Sequence, residues 1–142
     1  MAAIERAMHF DMSDVLTRYK FHHSVTDAEV REHERELKRF LTLCALNPDA
    51  RYGMLNPVDN LWHEFIIFTK KYVEFCELVA GKYIHHKSRI PGKSRGEEEV
   101  KKMFNQFRRD YFAHFGEPAP EKYWKPSFEC SHGNCGNDPD NQ

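Results

Sequence analysis

Asp59 and His63 stand four residues apart in the stretch NPVDNLWHEFIIFTKKYVEFCELVAGKYIHH, residues 56–86. On a helix that spacing puts both side chains on one face. A carboxylate beside an imidazole can ion-pair with it, or orient it as a metal ligand. The same spacing recurs in Glu5/His9, Glu29/His33 and Asp110/His114. His33 and His114 fall on apolar stripes of two other helices. A bundle that aims several acid–histidine pairs inward could hold a metal, as carboxylate-rich bundles do. The Glu-x-x-His set of di-iron bundles is absent, and buried or paired structural histidines compete with the metal reading.

A second group lies in the tail CSHGNC. Cys130, His132 and Cys135 place three soft donors in six residues, and Gly133 allows a tight turn. Zinc prefers such donors. The spacing is not that of a zinc finger, and the competing reading is a flexible tail with two thiols. A third group is His85, His86 and Cys76. If residues 57–80 form one straight helix, His63 and Cys76 stand about 20 Å apart along its axis. His85 then reaches back to His63 only if the helix breaks. A Cys–His nucleophilic pair at Cys76 is conceivable. Cys76 also sits on a buried stripe, where a cysteine packs as a small hydrophobe. These donors suit a zinc or iron ion. No Gly-rich phosphate loop, G-x-S-x-G or H-E-x-x-H is present, so no nucleotide cofactor is expected.

Helices must position these residues. TDAE at 26–29 fits a capping box and starts a helix that runs to Leu46, where Asn47-Pro48 stops it. Its apolar stripe is Val30, Leu37, Phe40, Leu41 and Cys44, with His33 on the same face. Asn56 is the expected cap of the next helix, Pro57 suits its first turn, and Gly81 suits its left-handed exit. Trp62, Phe65, Thr69, Tyr72, Cys76 and Val79 form its stripe. The third long helix spans 97–115, acidic at its start and closed by Gly116. Short helices precede these three, Tyr123 and Trp124 are expected to pack back, and no strand pair is evident. The expected fold is all-α: a compact bundle of three long helices with one or two short N-terminal ones and an extended tail. Residues 1–128 read as one helical domain and 129–142 as a polar tail.

The chain has 142 residues, 40% hydrophobic and 30% charged, with a net charge of −1. That balance supports a folded core and gives no global basic field for nucleic acid. No run is apolar enough to span a membrane. Acids stand where a signal peptide would be apolar, so the cytoplasm is the expected compartment, with reduced thiols.

The strings PVDNLWHEF, YVEFC and GKYIHH together resemble the glycine-rich domain-containing-protein-like family. Its hallmark of D-x-x-W-H-x-H followed by Y, C, G and H maps onto Asp59, Trp62, His63, Phe65, Tyr72, Cys76, Gly81 and His85. RFLTLCALNPDA fits the preceding helix, and the resemblance covers residues 26–90. Phe65 replaces the second histidine, and the glycine-rich domain is missing; CSHGNCGN resembles a short version of the Cys/Gly-containing tail of smaller family members. The resemblance implies an intracellular helical domain and no particular activity. Three functions are therefore expected in rank order. The first is a small metal-binding or accessory protein. The second is an interaction module docking on a larger protein assembly. The third is a metal-dependent enzyme.

Overall fold

The computed structural model describes residues 1–87, 95–126, 135–137 and 139. Among them the chain forms α1 (Ala3–His9), α2 (Ser13–His22), α3 (Asp27–Leu46), β1 (Gly53–Met54), α4 (Val58–Ile67) and α5 (Thr69–Ala80). β2 (His86–Lys87), α6 (Glu97–Phe115), α7 (Glu121–Trp124) and β3 (Cys135–Asn137) follow. The architecture is mostly helical, as the periodicity requires. No helix among the described residues is long and apolar enough to cross a membrane.

The capping box at the start of α3 forms as expected. The Glu29 amide donates to the Thr26 hydroxyl at 3.1 Å, and the Thr26 amide donates to the Glu29 carboxylate at 2.9 Å. α3 is the axis of the bundle, with α1, α4, α5 and α6 packed around it. Its apolar stripe is buried, and so are Glu36, Lys38, Thr42 and Leu43 on its other faces. A stripe read for one core-facing side misses them, because this helix has neighbours on several sides. Lys38 is buried as a cap. Its ammonium donates to Phe10 O at 2.7 Å and Met8 O at 3.3 Å. These carbonyls lie at the C-terminal end of α1, where the helix leaves acceptors unpaired and negative charge gathers.

Phe40 centres the core. It stacks on Trp124 at 5.7 Å between ring centroids and meets Trp62 edge-on at 5.1 Å. Tyr123 and Trp124 of α7 are buried, so the segment after α6 does pack back.

Two expectations about residues 56–80 are corrected. Asn56 does not cap α4; Pro57 holds the N-cap position and no side chain caps the helix. Nor is the stretch one helix. It breaks at Phe68, whose backbone leaves the helical region (φ −79°, ψ 69°). In a straight helix the residues at 65 and 75 would stand about 15 Å apart along the axis. Across the joint Phe65 meets Tyr72 and Phe75 edge-on, at 5.0 and 5.3 Å. This aromatic cluster rewards the bend, and no Gly or Pro marks it in the sequence.

The three strands form one antiparallel sheet in the order β1–β3–β2. The sequence signals no strand pair because runs of two or three residues are too short to show a period.

Candidate metal centre

Asp59 lies in the first turn of α4 and His63 one turn later. An acid in the first turn is favoured by the helix dipole. The other side of the site is the segment that returns after α5. Gly81 ends α5 in the left-handed conformation (φ 73°), and its amide bonds to the carbonyls of Cys76 and Glu77. Glycine adopts that backbone without a Cβ penalty, so the chain can reverse there. The Tyr72 hydroxyl then fixes the returning segment by donating to Ile84 O at 2.5 Å. The same hydroxyl accepts from the Trp62 indole at 3.0 Å. Trp62 also packs edge-on against the His86 ring, centroids 4.4 Å apart.

This scaffold brings Asp59, His63 and His86 together. His63 Nε2 lies 3.0 Å from His86 Nε2. His86 Nε2 lies 2.8 Å from Asp59 Oδ1, and His63 Nε2 lies 3.3 Å from Asp59 Oδ2. The three form a group able to hold a metal ion. A tetrahedral zinc with bonds of about 2.0–2.1 Å spaces its donor atoms about 3.3 Å apart. Octahedral iron spaces neighbouring donors about 3 Å apart at similar bond lengths. The observed separations lie in or just inside that range. Two imidazole nitrogens that face each other cannot both carry a proton there. A cation between them accepts a lone pair from each, and the carboxylate supplies charge.

Burial differs across the group. The side chains of Asp59 and His86 are only 9% and 6% exposed, while His63 is 49% exposed. Partial burial pulls the His63 pKa below its usual value, and nearby His86 acts in the same direction, while Asp59 opposes them. The neutral imidazole is the form that binds a metal. His63 opens on a surface pocket of about 400 Å³ lined also by Ile66, Ile67, Tyr83, His85 and His86. Three protein donors beside an opening resemble exchangeable sites more than closed structural ones.

The other sequence candidates lie elsewhere. His85 is a wall of the pocket, edge-on to Tyr83 at 4.8 Å, and it is His86 rather than His85 that joins the pair. Cys76 is fully buried next to Tyr72 and the Ile84 backbone, and burial raises its thiol pKa. That suppresses a Cys–His nucleophile and leaves Cys76 as core. His33 is buried, with Nδ1 2.9 Å from the Tyr19 hydroxyl and its ring edge-on to Tyr123. His114 is exposed on α6. Neither converges on Asp59, so the inward set of acid–histidine pairs does not assemble. Glu29 is spent in the capping box, and Asp110 accepts from the Tyr52 hydroxyl and Gln106. Of the four pairs, only Asp59/His63 closes to ion-pair distance among the described residues. Cys130 and His132 lie outside the described residues, and Cys135 enters through its backbone in β3.

A straight helix over residues 57–80 would hold His85 away from His63; the helix breaks at Phe68, and it is the next residue, His86, that meets His63. The usable signal was the order of parts: an Asp/His pair, a helix-ending Gly81, then paired histidines within reach of a returning chain.

The sequence matches the UCP032817-like family over residues 3–115, and the chain belongs to that family. No curated protein and no solved structure matches it. The matched span contains Asp59, His63 and His86 and ends before the tail.

Proposed function

We propose that this member of the UCP032817-like family is a small metal-binding protein whose ion is held by Asp59, His63 and His86. The observation that carries the reading is the convergence of two imidazole nitrogens and a carboxylate at 2.8–3.3 Å, from successive turns of α4 and from the segment that returns after α5. Zinc is the ion we favour. Imidazole suits zinc and iron alike, and zinc stands above iron(II) in the stability order of the divalent series. Trp62, Tyr72 and Gly81 serve the site indirectly by placing His86. Phe65, where the glycine-rich domain-containing-protein-like family has its second histidine, is fully buried in the aromatic joint, away from the ligands. We extend the reading to that relationship: the shared Asp, Trp and His would then be ligands and their support.

Elemental analysis of untagged protein tests the site. The expected result is about one zinc per chain, lost from His63→Ala and His86→Ala while far-UV circular dichroism is unchanged. Protein free of metal after growth with added zinc, or variants that keep it, would refute the site. Iron at the same stoichiometry and with the same loss would correct the ion alone.

A further inference from the structure

The ligands come from two separate stretches of chain, and a third stretch ties those together. β1 leads directly into α4, which carries Asp59 and His63, while β2 carries His86 itself. In the sheet β1 and β2 are not neighbours. β3 lies between them, antiparallel to both. Gly136 is opposite Gly53 on one side and Lys87 on the other, and Asn137 is opposite His86.

Two residues of β3 are suited to that place. A Cβ at Gly136 would stand 2.1 Å from Tyr52 O, so a side chain there would force the strands apart. Glycine in a strand marks such a close backbone approach. Asn137 is buried, and its amide works as an extra rung. Its oxygen accepts from the Tyr52 amide at 2.8 Å, and its nitrogen donates to Ala50 O at 2.8 Å.

We propose that Gly136 and Asn137 are positioning residues for the metal site, so that the C-terminal strand sets metal affinity through its backbone pairing. The inference rests on the reading of Asp59, His63 and His86 as ligands. Ligand atoms must be held within about 0.5 Å of productive geometry. β3 supplies the spacing between the strand before α4 and the strand that bears His86. With β3 displaced, His86 keeps its ring but loses its fixed place, and binding must then order it. The hydrogen bond from Tyr72 to Ile84 still anchors the segment two residues away, so the effect is partial. Groups that hydrogen-bond a ligand directly change metal affinity by about ten- to hundredfold, and β3, which holds only the backbone of the ligand-bearing segments, belongs at the low end of that range.

The test uses full-length protein and cobalt(II), with the dissociation constant read by chelator competition. Wild type is compared with Asn137→Ala, Gly136→Val and the control Gly116→Ala. Gly116 is the left-handed cap of α6, so the control strains the fold outside the sheet. The dissociation constant is expected to rise about tenfold in both β3 variants and to stay at the wild-type value in the control. At saturation Asn137→Ala should keep the wild-type cobalt absorption bands, since the ligands are the same. Should Gly136→Val fail to fold, Asn137→Ala decides. Wild-type affinity in Asn137→Ala overturns the inference and leaves the site standing. An equal loss in Gly116→Ala also overturns it, reducing the effect to general instability. No cobalt binding by wild type overturns the site and this inference together.

Discussion

Two buried carboxylates, Glu36 and Asp59, meet opposite company. Glu36, on α3, is fully buried and surrounded by groups that donate to it. The Trp124 indole donates to it at 2.8 Å, the Tyr111 hydroxyl at 3.0 and 3.1 Å, and the Arg35 guanidinium at 2.9 Å. Burial pushes the Tyr111 phenol up to about 12, so it stays a donor. Asp59 instead meets two imidazoles, which can present lone pairs, at a surface opening. A carboxylate whose partners all donate to it is satisfied by the protein alone. One whose partners are imidazoles, each able to present a ring lone pair, leaves room for a cation between them. The difference lies in the chemistry of the neighbours and their access to solvent.

The contrast breaks most visibly if each acid is removed. Glu36→Ala leaves an indole, a phenol and a guanidinium without their acceptor. The buried indole and phenol each lose their acceptor at about 1–3 kcal/mol apiece, while the half-exposed Arg35 guanidinium can turn to water, so denaturant unfolding should show a loss of about 2–6 kcal/mol. Metal content per folded chain should not change. Asp59→Asn should invert the pattern. Losing a ligand costs more than the roughly hundredfold upper range of supporting groups. Chelator competition should therefore show more than about a hundredfold weaker binding, while the asparagine oxygen still accepts from His86, so that metal-free protein exchanges a charge-assisted hydrogen bond for a neutral one and loses only about 1 kcal/mol.

His33 sharpens the comparison through pH. Burial lowers its pKa, with Glu29 and Glu32 opposing. The folded state thus holds the proton less tightly than the unfolded chain. Its contribution to stability is complete above the unfolded value of about 6.5 and is lost as pH falls from there through the lowered folded value. In that window wild type should lose stability at up to about 1.4 kcal/mol per pH unit from this group. His33→Gln should show a flatter profile in unfolding measured across the same range. The smallest effect on the metal is expected of Trp62→Phe, which keeps an aromatic ring beside His86. It removes the hydrogen bond to Tyr72 and leaves a void next to Phe40 in a fully buried position, so thermal unfolding should shift down by more than the about 0.5–1.5 kcal/mol of the hydrogen bond alone, while metal affinity should fall only slightly.

The capping box at Thr26–Glu29, the glycine exits at 81 and 116 and the stripe of α3 were legible because each is a local pattern. The Asp59/His63 pair was legible for the same reason. The joint at Phe68 was not, since the packing of Phe65 against Tyr72 and Phe75 makes it and no backbone-breaking residue announces it. His86 depended on that joint. The burial of Glu36 and Lys38 has no local signal, because a helix surrounded by neighbours buries positions that its apolar stripe does not mark. β3 was invisible for a related reason: Gly136 and Asn137 act through backbone approach and amide bonding, which leave no hydrophobic trace.

The most direct measurement is X-ray absorption at the zinc edge on the full-length, zinc-loaded protein. Coordination by Asp59, His63 and His86 predicts a shell of nitrogen and oxygen alone at about 2.0–2.1 Å, with imidazole scattering from two rings. A sulfur shell at about 2.3 Å would contradict it, since none of these three residues carries sulfur, and would move the metal to the cysteines.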